Sequence, residues 1–273
     1  MTTAPDAWPP TTLGASEGGP PGGPGAAGGA GLDGAPPVDA GRYEIVGRLG
    51  AGGMGEVYEA RDTKLGRPVA LKFIRGATPE RVARLQQEAR AQARIDHPNV
   101  CKVHEVGELA GRPYIAMSLV DGKHLNEAAR EMSLPERVRA MREVAEAVHE
   151  AHRLGVVHRD LKPSNVMVDR GDDGHLRPLV MDFGLAYEVN QGHGLTVTGA
   201  LVGTPAYMAP EQARGEVHAV DQRSDVYSLG ATLYELLAGA PPFAARTAVA
   251  TLHKVLHDEP PPLRARAPGL PAD

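Results

Sequence analysis

The stretch LGAGGMGEVYEA, Leu49–Ala60, sets Gly50, Gly52 and Gly55 in a G-x-G-x-x-G pattern and then continues as a second strand-like run, not as a helix. That continuation constrains the fold more than the glycines do. A dinucleotide fingerprint needs strand, glycine turn and helix, because the pyrophosphate rests on the helix N-terminus, and an acidic residue must follow about 20 positions on for the ribose. Around that place the chain reads RPVALK, Arg67–Lys72. A Walker loop closes with G-K-[ST], which is missing here. What remains is a glycine-tipped hairpin. Such a hairpin can lie over phosphates and offer them backbone N–H groups, or it can be glycine-rich for turn geometry alone.

The runs RYEIVGRLG, GEVYEARD and RPVALKFI are rich in β-branched and aromatic residues with Gly and Pro at the joins, which predicts three antiparallel strands. Pro79, behind the candidate N-cap Thr78, opens a predicted helix over 79–95. KVHEVGEL and RPYIAMSLV flank the turn AGR as two more strands, so a unit of five strands and one helix ends near Val120. Beyond it the pattern is helical. In SLPERVRAMREVAEAVHEAHRLG, Ser133 reads as cap and Gly155 as stop, with Val138, Met141, Val144, Ala145 and Val148 facing inward. A second apolar helix is predicted over 224–239 and a third at TAVATLHKVLH. The expected class is α+β with a sheet-rich lobe over 42–120 and a mainly helical lobe over 121–273. Residues 1–41 are Gly/Pro-rich with too few apolar side chains to offset the entropy of ordering them, so a disordered leader is expected, either a plain tail or a docking tail.

Composition removes several function classes. A net charge of −5 with no Lys/Arg block argues against a nucleic-acid partner. No apolar run reaches the roughly 18 residues of a membrane helix, and the N-terminus lacks the order of a signal peptide. The single cysteine, Cys101, allows no internal disulfide and no multi-cysteine metal knuckle; a cytoplasmic setting is expected. Lysine is scarce, which draws attention to Lys72 and Lys162.

Charged residues then fall in a telling order. Lys72 sits inside an apolar strand, where a buried ammonium needs an anion. Glu88 lies mid-helix after it, HRDLKPSN follows over His158–Asn165, and DFG over Asp182–Gly184. Carrying these four features, residues 42–273 resemble a eukaryotic-type protein kinase domain and are most similar to bacterial serine/threonine kinases. Lys162 in DLKPSN and the loop GTPAYMAPEQ at 203–212 are the serine/threonine forms.

The resemblance implies a bilobal fold, ATP and Mg²⁺ (or Mn²⁺ in its place) as cofactors, and protein Ser/Thr hydroxyls as acceptors. Leu49, Gly50, Ala51, Gly52, Gly53 and Gly55 would cover the phosphates. Lys72 would hold the α- and β-phosphates, oriented by Glu88; Asn165 and Asp182 would be metal ligands; Asp160 would take or orient the hydroxyl proton, with Lys162 offsetting charge at the γ-phosphate. Val57, Ala70 and Met117 would face the adenine, Met117 as gatekeeper, and His158 would stack on Phe183. Arg159 is suited to bind a phosphorylated segment, and Thr196 and Thr198 are the candidate autophosphorylation sites, reached through a transient homodimer; Thr204 reads as a substrate-loop hydroxyl. His149 and His152, three apart on a helix, read as part of an amphipathic helix before a shared metal site.

Three positions depart from the family. Ser118 stands in the hinge where an acid is common. Gln92 stands where an apolar residue usually packs on Phe183, which is expected to loosen the active alignment. The third is the C-terminal end: the helical lobe is expected to be incomplete, either a fragment of a longer kinase, with membrane anchoring of that longer form left open, or a shortened protein, with Asp225 anchoring the catalytic loop and Glu211 deprived of its arginine. The competing function classes are a non-catalytic nucleotide-binding scaffold of the same fold and a small-molecule kinase; filled catalytic positions oppose the first and the GTPAYMAPE loop opposes the second.

Overall fold

The computed structural model describes residues 41–52, 55–74, 78–109, 111–171, 174–183 and 205–271. The chain divides into two units, Met1–Ala35 and Pro36–Asp273. The first, with most of the expected leader, lies outside the described residues, and every strand and helix described belongs to the second.

Strands β1 (Tyr43–Gly52), β2 (Gly55–Asp62), β3 (Arg67–Ile74), β4 (Val103–Leu109) and β5 (Arg112–Ser118) form one antiparallel sheet in the order β1-β2-β3-β5-β4. Period-two alternation sorts its side chains. Val69, Leu71 and Phe73 of β3 join Tyr43, Tyr58, Tyr114 and Ala116 in one apolar cluster, while Ala70 joins Ile115 and Met117 in another with Ala89 of α1 (Pro79–Gln92). Burial on both sides is why β3 reads as a nearly continuous apolar run with Lys72 as its exception. Helix α1 ends three residues before the predicted 95. Arg94 and Ile95 donate to the carbonyls of Ala91 and Gln92, a tight last turn that sends Ile95 into the helical lobe's core.

A two-pronged ion pair fastens the start of the sheet. Arg42 donates from Nε to Asp62 Oδ1 at 2.9 Å and from Nη2 to Oδ2 at 2.6 Å, and the fully buried Asp62 also accepts from the N–H groups of Lys64 and Leu65. The Arg42 hydrogen bonds, against the opposing effect of burial, hold the Asp62 carboxyl at about 2. A depressed folded pKa gives stability that is whole above the unfolded value near 4 and lost as pH falls through the folded one. Urea midpoints should therefore drop between pH 4 and pH 2 more steeply for the wild type than for Asp62→Asn; parallel curves would contradict this role.

The second half is built on α3 (Leu134–Arg153), β7 (Val166–Arg170), β8 (Leu176–Val180) and α5 (Gln222–Ala238). The Glu136 carboxylate accepts from Ser133 N–H and Oγ at the start of α3, and Gly155, at φ 75°, follows its end, as expected. The buried stripe is Ala140, Met141, Val144, Ala147, Val148 and Ala151. Val138 and Ala145, expected inside, are exposed, because that stripe is narrower than the apolar residues of the sequence suggest. With Leu161, Val166, Val180, Phe183 and Leu236 the stripe makes the main core.

Short β6 (Gly122–His124) adds a three-stranded antiparallel sheet, β6-β7-β8, that the sequence pattern did not predict. After it come α2 (Leu125–Ala128), α4 (Pro210–Ala213), α6 (Ala248–His257) and α7 (Leu263–Arg266). Asp221 accepts from Arg223 N–H and starts α5 two residues before the predicted 224; Gly239, at φ 80°, ends it. Tyr234 Oη donates to Pro261 O at 3.0 Å, tying the run before α7 to α5.

Candidate active site

The loop between α3 and β7 is held from behind by α5. Asp225, fully buried, accepts from His158 N–H and Arg159 N–H, each at 2.8 Å, and from His152 Nε2 at 2.7 Å. Burial pushes this carboxyl up, but the three donors more than offset it, and its pKa lies below the ordinary value. His152 thus turns inward to Asp225 while His149 is exposed, so the two share no site. Arg159 takes a left-handed φ of 67°, a conformation that costs a non-glycine residue about 1–3 kcal/mol unless its surroundings enforce it. Its N–H bond to Asp225 does so.

His158 lies under the loop, fully buried, its ring 4.7 Å from that of Phe183. Nε2 donates to Met181 O at 2.9 Å and Nδ1 accepts from Asp160 N–H at 3.3 Å. Both ring nitrogens are thereby used within the scaffold. Asp160 Oδ2 accepts from Lys162 Nζ at 2.7 Å and from Asn165 Nδ2 at 3.0 Å, and Asn165 Nδ2 also reaches Asp160 O at 2.7 Å. Asn165 O in turn accepts from Met181 N–H at 2.9 Å, which places this loop against the residue just before Asp182.

Asp182 follows β8 with φ 58°, the other non-glycine residue at positive φ among those described. Its Oδ2 accepts from Lys72 Nζ at 2.7 Å, and the Lys72 side chain is 8% exposed. The buried ammonium has the anion its strand context demands, and here that anion is Asp182. Glu88, the partner expected from the sequence, lies half-buried on α1. Val57, Ala70 and Met117 share one apolar cluster with Met181, next to Lys72. In the glycine hairpin, Gly52 pairs with Gly55 across the turn. A side chain at Gly55 would meet Phe73 O at 1.8 Å, so this glycine is required by strand contact; at Gly50 and Gly52 the space is open. Leu49 and Ala51 are exposed beside them. Gly53, Thr196, Thr198 and Thr204 lie outside the described residues.

The far side of the loop carries residues that sequence reasoning passed over. Gln212 Nε2 donates to Arg159 O at 2.7 Å while its Oε1 accepts from Ala209 N–H at 3.0 Å, joining the 205–212 segment to the loop between α3 and β7. Tyr207 Oη donates to Glu235 Oε2 at 2.5 Å, and Tyr207 O accepts from Ser228 Oγ at 2.8 Å. Burial raises the Glu235 carboxyl above its ordinary value, partly countered by that tyrosine bond. Glu211, expected to lack a partner, accepts from Ser224 Oγ at 2.5 Å. Nothing in the pattern of α5 marks Ser224, Ser228 or Glu235 except that they are polar residues on an otherwise apolar helix.

Residues 43–264 match the family model described as protein kinase domain. The chain belongs to the protein kinase family. Over 237 residues the kinase domain is 44% identical to the serine/threonine-protein kinase PknJ of Mycobacterium tuberculosis, with 84% of this chain and 40% of PknJ covered. Over 243 residues it is 40% identical to the serine/threonine-protein kinase PknB of the same organism, covering 85% of this chain and 38% of PknB. The chain thus spans about two-fifths of the length of these relatives. A crystal structure of the Mycobacterium tuberculosis PknI kinase domain superposes with a TM-score of 0.65 at 33% identity, covering 84% of each chain. The protein kinase fold, with its five-stranded sheet and helical second lobe, is therefore shared, and members of this family use ATP and Mg²⁺.

Proposed function

We infer that this kinase domain transfers the γ-phosphate of MgATP to serine and threonine hydroxyls of proteins. The observation that carries the reading is the pairing of Lys72 with Asp182 beside the group Lys162, Asp160 and Asn165, the two joined by the backbone bond from Met181 N–H to Asn165 O. Phosphoryl transfer asks chiefly for positioning and charge neutralisation, and this set supplies both.

Lys72, already desolvated, exchanges Asp182 for the α- and β-phosphates when nucleotide enters, with Glu88 on α1 as the carboxylate that orients it. Asp182 and the Oδ1 of Asn165 fit a hard divalent ion, which takes one or two protein oxygens and completes its shell with phosphate and water. The Nδ2 of Asn165 is committed to Asp160, so its amide oxygen is the group left to bind. The ion, Mg²⁺ or Mn²⁺, supplies charge neutralisation on the phosphates. Both side-chain bonds to Asp160 end on Oδ2, which leaves Oδ1 for the acceptor hydroxyl. As the hydroxyl oxygen bonds to the γ-phosphorus and the bond to the β–γ bridging oxygen breaks, the proton passes to Asp160 and ADP leaves. Lys162 offsets charge on the transferred group. Val57, Ala70 and Met117 give the adenine an apolar slot, and the hairpin of Leu49, Gly50, Ala51, Gly52, Gly53 and Gly55 covers the phosphates.

The 205–212 segment, bound to Arg159 through Gln212 and to α5 through Tyr207, is the platform for the acceptor chain. Arg159 is the docking cation for phosphorylated Thr196 or Thr198, reached in a transient homodimer, and the domain works in the cytoplasm. No helix among the described residues is long and apolar enough to cross a membrane. Phosphoamino-acid analysis after incubation with radiolabelled ATP tests the acceptor class. Label on threonine and serine, with Thr196 and Thr198 among the mapped sites, is expected; label confined to tyrosine would overturn the assignment.

A further inference from the structure

Gln92 closes α1 at a position where a polar side chain was expected to loosen the site. The structure gives it a partner. The residue is 4% exposed, and Nε2 donates to Cys101 O at 3.1 Å. Cys101 belongs to a short segment that extends the β6-β7-β8 sheet in parallel fashion, with Val100 bridged to Val180. Cys101 N–H donates to Val180 O at 2.9 Å, Val180 N–H to Asn99 O at 2.8 Å, and Asn99 Nδ2 to Pro178 O at 2.8 Å. Val180 stands two residues before Asp182, whose carboxylate holds Lys72. From the end of α1 to the lysine's anion there is thus one side-chain bond, one peptide ladder and a strand end.

The bond matters because it holds the last turn of α1 on its inner side, where Gln92 is buried one turn after Ala89, which packs in the sheet's apolar cluster. Glu88 lies one turn before Gln92, and residues four apart share a helix face. A swing of the C-terminal end of α1 would therefore move Glu88 relative to Lys72 and Asp182 together.

We propose that Gln92 is a positioning residue whose amide latches α1 to the Asn99–Cys101 segment and so sets the spacing of Glu88 and Asp182 around Lys72. The proposal rests on the kinase reading. Gln92→Leu removes the donor at similar volume and leaves a buried carbonyl unpaired. The substitution therefore costs alignment more than packing.

The full chain tests this with a double-mutant cycle. With MgATP and a basic carrier protein as acceptor, Gln92→Leu is expected to lower kcat about tenfold in the wild-type background. In Glu88→Gln, where the latch has no carboxylate left to place, it is expected to lower the residual rate less than twofold. Equal falls in both backgrounds would mean a general structural loss and would overturn the proposal, as would an unchanged kcat in the wild type. Gln92→Met replaces the leucine variant if circular dichroism shows that the latter is unfolded. Hydrogen exchange gives an activity-independent readout: amides over 82–92 should exchange about tenfold faster in Gln92→Leu, and unchanged exchange would contradict the latch. A wild type that binds ATP and transfers nothing defeats the kinase reading, while the exchange experiment still judges the latch by itself.

Discussion

Asp160→Ala is expected to slow phosphoryl transfer by about 10²–10⁴-fold, the range over which a positioned general base acts. The substitution removes the acceptor for Lys162 Nζ and one of the two bonds that hold Asn165 Nδ2. Asn165 keeps its bond to the backbone carbonyl of residue 160, which survives the change. Lys72 and Asp182, which face the nucleotide in the proposed mechanism, are untouched. KM for ATP should therefore stay within a few-fold while kcat collapses, the pattern of an interaction used only in the transition state. Steady-state kinetics on both proteins check this. A rise in KM with kcat preserved would move Asp160 from the chemistry to ground-state binding.

Asp225→Ala should have the largest effect on stability. One buried carboxylate satisfies His152 Nε2 and the N–H groups of His158 and Arg159. Alanine strands all three donors in the interior, and breaking a buried charged cluster by removing one partner costs about 3–5 kcal/mol. Against a typical domain stability of about 5–15 kcal/mol this is a large share. The melting temperature should fall by roughly 10 °C. Activity should fall further than stability alone accounts for, because Arg159 loses the bond that enforces its left-handed backbone and Asp160 is the next residue. Asp225→Asn retains an acceptor oxygen for one of the backbone N–H groups and should lie between. Calorimetry and kinetics on the three proteins separate the two effects; equal melting temperatures would refute the anchor.

Much of this was legible in the sequence because the relevant signals are local. Runs of β-branched and aromatic residues with Gly and Pro at the joins marked RPVALKFI and RPYIAMSLV as strands, and the Ser133 cap and Gly155 bounded α3. The candidate site residues could be named because the motifs that carry them have fixed spacing. What was hidden is set by distant partners. The need of Lys72 for an anion follows from its strand, but the choice between Glu88 and Asp182 depends on how α1 and β8 are placed. Strands β6 to β8 were missed because they are three to five residues long, and β6, Gly-Lys-His, has no apolar side chain to show. The inward turn of His152 was invisible because its partner is a carboxylate on another helix. The bond of Gln92 was invisible for a similar reason: its acceptor is a backbone carbonyl, which every residue possesses and no sequence marks.

The most direct test of the central claim is to measure nucleotide binding and γ-phosphate transfer on one preparation of the wild-type protein. MgATP affinity is read by calorimetry, and transfer by radiolabel appearing in the protein itself and in a basic carrier protein. Binding accompanied by transfer that disappears in Asp160→Ala is the expected result. Tight MgATP binding by folded protein with no label transferred would contradict it and leave the fold with a nucleotide-holding role only.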